Sequence, residues 1–387
     1  MSSRGAEAEL ILASAAVAAR RDCSRTRAAA LARGVDWERL VAMLLARRLL
    51  PQLGERILQS AGEDAPASFV AAVERALSQT RHQAALLQLV GARVRRALDA
   101  AGIRSLALKG PFLAEAIYGD PGRRASGDID LLVAPGELQA AVTVARASGY
   151  ASPTDHVPRG GLPLLHYTLH HERFQAPPLE LHWRIHWYER EFARDMLARS
   201  IEDPPYGLRA TPIDELAGLL LFYARDGFHD LRLATDIATW WDSCGGSIAP
   251  GALGELAARY PALERSLLCA ASTAERVVGL PSEPLLGAGR RLRIRPRLAA
   301  RLANPDGRGA ATQSSADVAL VDWLLTAPGG QLEFIRRQLL PPREVLGKRA
   351  RARLERRVSQ LGHGMRVLLR CGLSVAHLLR PLRRPTP

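Results

Sequence analysis

Residues 103–133 read IRSLALKGPFLAEAIYGDPGRRASGDIDLLV, and this stretch decides the fold. Residues 105–108 are a short apolar run, readable as a buried strand, that stops at Lys109-Gly110-Pro111. A helix follows with Phe112, Leu113, Ala116 and Ile117 on one face, and Gly119-Asp120-Pro121-Gly122 ends it. A second strand, 128–133, opens with two aspartates one residue apart. Alternation along a strand sends Asp128 and Asp130 to one face and Ile129 and Leu131 into the core. An isolated Asp-x-Asp reads as a strand edge with solvated acids. Behind a strand, a glycine turn and a helix, it reads as a site for phosphoryl transfer.

Two carboxylates held about 4 Å apart repel by roughly 4 kcal/mol at an effective dielectric of about 20, so the pair calls for a cation. Mg²⁺ fits, with Mn²⁺ as the alternative, because such ions take hard oxygen ligands from carboxylates and substrate phosphates. Gly110 lets the backbone approach a triphosphate closely, and Lys109 is placed to neutralise phosphate charge.

Leu-Lys-Gly at 108–110, Tyr-Gly-Asp-Pro-Gly at 118–122 and Arg-x-Ser-Gly-Asp-Ile-Asp-Leu-Leu-Val at 124–133 resemble the bacterial nucleotidyltransferases of the polymerase-β-like superfamily. The resemblance implies an α+β fold, a small mixed β-sheet core flanked by N-terminal helices and a C-terminal helical lobe. It implies transfer of a nucleoside monophosphate from an NTP to an acceptor, with Asp128 and Asp130 as metal ligands and a third carboxylate on a later strand. Lys109, Gly110, Arg124 and Ser126 fall where the nucleotide would be held. The chain departs from the family's Gly-Gly or Gly-Ser turn, since Pro111 follows Gly110 and no serine does.

Residues 164–174 and 179–185 read as an extended pair separated by Gln175-Ala176-Pro177-Pro178. The second places Glu180, His182 and Arg184 on one face and Leu181, Trp183 and Ile185 on the other. Glu180 is the third carboxylate that the resemblance asks for, with Glu172 the next position in line. His182 shares its face, to contact a phosphate or a substrate hydroxyl or, as is commoner for a histidine so placed, to hydrogen-bond and orient Glu180. His166, His170 and His171 read as structural, because their spacing on a strand scatters them over both faces.

Around this core the chain is helical. Asp36 caps a helix carrying Leu40, Leu44 and Leu45, and a long amphipathic helix runs over 68–101. Residues 135–150 form another helix, 153–163 a Pro/Gly loop, and 211–225 and 231–241 a helical pair. In the resembling family a histidine and an acid follow the catalytic sheet, and His229 and Asp236 match them; helix-terminus and capping roles account for both equally well. Residues 303–316 read as a loop and 317–325 as a short helix. The expected divisions are 1–102, 103–188, 189–335 and 336–387.

The chain of 387 residues, 47% hydrophobic, is long enough for two or three cores. No apolar run reaches the ~20 residues of a membrane span, and Glu7 and Glu9 stand where a signal peptide is basic. Four scattered cysteines suggest a reduced cytoplasmic protein without zinc. The net charge of +14 is uneven: residues 336–387 hold fourteen Lys/Arg against two Glu, or +12, leaving +2 for the rest. That tail is a cationic helix packed on the body, an RNA-binding surface or an anionic-membrane anchor. Three functions follow. The first is a Mg²⁺-dependent nucleotidyltransferase acting on a small molecule, peptide or protein. The others are a toxin-like enzyme acting on tRNA ends and an inactive nucleotide- or peptide-binding partner in a biosynthetic cluster. The presence of all three carboxylates counts against the last.

Overall fold

The computed structural model describes residues 5–151, 164–172, 175–189, 191–203, 207–287, 299, 315–327 and 329–339. The expected loop at 153–163, most of that at 303–316 and the basic tail from 340 onward lie outside these residues.

The Ser105–Ala107 run forms β1 and the Asp-Ile-Asp segment enters β2, Ile129–Val133. Two later segments, β3 (His166–Leu169) and β4 (Leu179–His182), pair antiparallel, and β4 runs parallel to β2. A hairpin of β5 (Ile201–Asp203) and β6 (Gly207–Arg209) joins β1 on the far side. The sheet order is β3-β4-β2-β1-β6-β5, with mixed directions, and every residue of the central strand β2 is buried. The fold is α+β, as expected. The sheet also extends past residue 188, through strands too short and polar to show alternation in the sequence.

Fifteen α-helices among the described residues surround this sheet. Helices α1 (Ala6–Ala15), α2 (Ala18–Ala32), α3 (Trp37–Ala46) and α4 (Leu50–Ala61) precede a 34-residue α5 (Ala67–Ala100), about 51 Å long. Asp36 caps α3 as expected, accepting from the Arg39 amide. Then come α6 (Pro111–Tyr118), α7 (Leu138–Ala147), α8 (Phe192–Arg199) and α9 (Pro212–Arg225); the chain continues through α10 (Leu231–Cys244), α11 (Ala252–Arg259), α12 (Glu264–Val278), α13 (Ser282–Leu286), α14 (Ser315–Leu325) and α15 (Gln331–Leu339).

Two apolar cores result. Ile129, Leu131, Val133, Leu179 and Leu181 face Leu87, Val94 and Leu98 of α5 and Leu138 and Val142 of α7. From the other face, Leu106 and Leu132 enter a larger core holding Leu40, Leu53 and Phe69 beside Leu216, Leu220, Phe222 and Trp240. The N-terminal helices and the C-terminal lobe therefore bury their apolar stripes against each other, although they lie on opposite sides of the sheet strands in sequence.

Three local features aim the site. Gly110, at φ +83°, turns β1 into α6, and Pro111 occupies the first helical position, where its missing N–H costs no bond. Gly122 lies against α5 so closely that a Cβ would come within 3.0 Å of the Arg81 Cα, while Arg81 holds Asp120 with two nitrogens. The third feature ends β4. The expected extended run through Ile185 stops at His182, because the Trp183 and Arg184 amides turn to the Leu165 carbonyl and the Ile185 amide donates to the buried Glu189 carboxylate at 2.8 Å. Ile185 then joins the larger core, and Arg184 lies beyond the end of β4, so strand alternation no longer pairs it with Glu180.

Candidate active site

Parallel pairing places Asp130 directly opposite Glu180, and the antiparallel β3–β4 pair places His182 opposite His166. Asp128 lies just ahead of β2 on the same face as Asp130. One oxygen from each of Asp128, Asp130 and Glu180 lies within 4.8 Å of the others. Lys109, just past β1, puts its Nζ 3.0 Å from Asp130 Oδ2. His182 Nε2 donates toward Asp130 Oδ1 at 3.0 Å and Glu180 Oε2 at 3.2 Å. Among the sequence candidates, Lys109, Asp128, Asp130, Glu180 and His182 thus share one site.

The charges are arranged in opposition. Burial would push Asp130 up, but the Lys109 ammonium and the His182 bond outweigh it and hold the carboxyl well below the usual range. Burial raises Asp128, and the negative charge of Asp130 raises it further. For Glu180 the His182 hydrogen bond prevails over burial and lowers the value. His182 is raised despite its burial, by its bonds to Asp130 and Glu180. The carboxylates are therefore unequal: Asp130 is held charged from within the protein, whereas for Asp128 burial and the Asp130 charge outweigh the pull of Lys109 and Arg124.

Ser126 lies beside the Gly110 turn, its Oγ 4.0 Å from the position a Cβ on Gly110 would take. Arg124 faces elsewhere than a free phosphate-binding residue would. Its Nε donates to Asp236 at 2.7 Å and its Nη1 to Ser126 at 2.8 Å. Asp236 is fully buried and also accepts from Gln52 Nε2 at 2.8 Å and Tyr118 Oη at 2.9 Å. Four segments meet there, from α4, α6, the 124–128 turn and α10. Asp236 thus anchors the turn that delivers Ser126 and Asp128. His229 sits in the turn between α9 and α10.

Reading the sequence alone missed several neighbours. His166, assigned a structural part, lies with its Nε2 3.6 Å from Glu180 Oε1. Phe222 of α9 closes the lobe side: Lys109 Nζ is 5.5 Å and Arg225 Cζ 4.7 Å from its ring centroid, and His182 meets it edge-on. The pairing register and the packing of α9 are long-range facts, so no local spacing announces them. Glu172, exposed beyond β3, stands outside the carboxylate group. A cavity of about 290 Å³ lined by Leu86, Val90, Tyr150 and His171 has no carboxylate in its lining, unlike the β2–β4 site.

Residues 33–279 match the family described as uncharacterised nucleotidyltransferase. The chain belongs to this family. The match covers the whole described sheet and helices α3 through α12, so the protein is a transferase of phosphorus-containing groups. No curated protein and no solved structure matches it. Among the described residues no helix is long and apolar enough to cross a membrane. The donor set fits a divalent cation: three carboxylates converge, and hard oxygens are what Mg²⁺ or Mn²⁺ takes.

Proposed function

We propose that this enzyme moves a nucleoside monophosphate from an NTP to a hydroxyl or phosphate of a small molecule, peptide or protein, releasing pyrophosphate. The observation that carries the reading is the registered pair Asp130 and Glu180, with Asp128 completing a three-carboxylate group. The same arrangement supports our further reading of the chain as a member of the polymerase-β-like superfamily, working in the cytoplasm, where NTP is supplied. Mg²⁺ or Mn²⁺ held by Asp128, Asp130 and Glu180 would supply charge neutralisation at the phosphates.

The chain's own residues position the reactants. Lys109 carries its charge beside Asp130, and Gly110 leaves the first turn of α6 open to an anionic group. Arg225 Nη1 is buried with no hydrogen-bond partner among the described residues, a donor suited to a phosphate oxygen. The acceptor oxygen attacks the α-phosphorus, and the bond from that phosphorus to the pyrophosphate oxygen breaks. With a hydroxyl acceptor, Glu180 is the carboxylate placed to take the proton. Most of the rate comes from positioning and charge stabilisation.

A second reading, an RNA acceptor such as a tRNA end, draws on the +12 charge of residues 336–387. One experiment addresses both. The protein is incubated with Mg²⁺, each labelled NTP in turn, and a cell extract divided into RNA, protein and small molecules. Label is expected in the protein or small-molecule fraction, with pyrophosphate released. No incorporation from any NTP would overturn the reading.

A further inference from the structure

The carboxylate group shares Glu180 with a second set of donors. The β3–β4 register sets His166 opposite His182, and Glu180 lies two residues before His182 on the same face. Its carboxylate is forked between the two rings: Oε1 is 3.6 Å from His166 Nε2, and Oε2 is 3.2 Å from His182 Nε2. The rings stand 4.6 Å apart, and one donor atom from each of the three residues lies within 4.8 Å of the others. Four ligands placed tetrahedrally at about 2.0–2.2 Å from an ion are separated by roughly 3.3–3.6 Å, and each imidazole already stands at about that distance from one oxygen of the carboxylate.

We infer that His166, Glu180 and His182 form a binding site for a divalent transition-metal ion of the Zn²⁺ class, adjoining the Mg²⁺ site and joined to it through Glu180. The inference rests on the reading of Glu180 as a metal ligand and adds the ion's class. Two imidazoles and a carboxylate suit such ions, whereas Mg²⁺ prefers oxygen donors and retained water. The spacing of the cysteines gave no reason to expect zinc; the histidines do. His182 is fully buried, and its Nδ1 has no hydrogen-bond partner among the described residues. All the polar contacts of that ring therefore point at the carboxylates through Nε2, and no main-chain bond commits it to a structural part. The His166 and Glu180 side chains are 15% and 18% exposed, so this edge of the cluster is not sealed from solvent, and a water would be the fourth ligand.

Site composition predicts two kinds of binding that substitutions can separate. Chelator-treated full-length protein is titrated by equilibrium dialysis with ZnCl₂ and, separately, with MgCl₂, as wild type, His166→Gln and Asp128→Asn. Thermal unfolding checks that each variant is folded. Wild type is expected to retain one Zn²⁺ against a large excess of Mg²⁺. His166→Gln should weaken Zn²⁺ by at least about tenfold and leave Mg²⁺ within about twofold, the size of loss that even a supporting residue of a metal site produces. Asp128→Asn should do the reverse. If Zn²⁺ affinity is the same in His166→Gln as in wild type, any zinc bound is adventitious and the inference is overturned. The carboxylate reading then survives provided Asp128→Asn still loses Mg²⁺. If Asp128→Asn keeps Mg²⁺ while His166→Gln loses Zn²⁺, the carboxylate reading fails and the histidine site stands.

Discussion

Asp130 and Glu180 face each other across the parallel β2–β4 pair, and the imidazole of His182 bridges them from the next position on β4. Asp130 is thereby tied to β1 through Lys109 and to β4 through His182, whereas Glu180, whose side chain is 18% exposed, is held by histidines, His166 at one oxygen and His182 at the other. The two acids should fail differently when altered.

Glu180→Gln keeps the shape and the hydrogen-bonding reach of the side chain but loses the charge. NTP affinity should stay within a few-fold of wild type, while turnover falls by about 10² or more, because the loss is of transition-state stabilisation rather than of ground-state binding. Steady-state kinetics separating kcat from KM check this. A raised KM with unchanged kcat would make Glu180 a substrate-binding residue.

Asp236→Asn tests the anchor beneath the site. The exchange leaves the buried Arg124 guanidinium without its counter-charge, and breaking a buried pair in this way costs about 3–5 kcal/mol. A clear drop in melting temperature is expected, with loss of activity following from disorder of the 124–128 turn. A stable but inactive variant would instead give Asp236 a direct part in the reaction.

His186 provides the pH test. It is fully buried, neither ring nitrogen has a hydrogen-bond partner among the described residues, and burial, helped by the charge of Arg225, lowers its pKa to about 3. The unfolded chain protonates near pH 6.5, so its contribution is fully present above that value. Between about pH 6.5 and 3 only the unfolded state takes up the proton, and stability falls as pH falls, by at most about 1.4 kcal/mol per unit. His186→Phe should be at least as stable as wild type at pH 8 and show a shallower acid limb in denaturant unfolding. Parallel acid limbs would mean that His186 is protonated in the fold.

Cutting the chain before residue 343 removes most of the cationic tail. For a small-molecule or protein acceptor the truncated enzyme should keep transfer activity, losing only solubility or stability. For an RNA acceptor, full-length affinity should fall by roughly 10³ from 50 to 200 mM salt if about six phosphate contacts form, and truncation should flatten that dependence. Transfer assays at several salt concentrations decide between the two.

The legible parts of this protein were local. Glycine and proline punctuation around Gly110 and Gly119, and the alternation that pairs Asp128 with Asp130, are written within a few residues. Alternation put Glu180 and His182 on one face of β4, but it was the family resemblance, not the spacing, that singled Glu180 out as the third carboxylate. His166 was not, since its partnership with His182 depends on a register set by strand pairing. Nor was the end of β4 at His182, which the Glu189 carboxylate imposes by drawing off the Ile185 amide. The β5–β6 hairpin gives only Ile-Glu-Asp and Gly-Leu-Arg, with no apolar alternation to read. Charge was legible only in outline. The two aspartates look alike in sequence, yet Lys109 and His182 hold Asp130 charged from inside, while burial and the charge of Asp130 raise Asp128.

That asymmetry makes Asp128→Asn the most direct test of the central claim, that three carboxylates hold the ion for nucleotidyl transfer. Removing a charge raised by burial and by Asp130 should leave the metal-free melting temperature equal or higher. The same variant should lose Mg²⁺-dependent pyrophosphate release by about 10² or more with the preferred NTP. Pyrophosphate release near the wild-type rate from a folded Asp128→Asn protein would contradict the account.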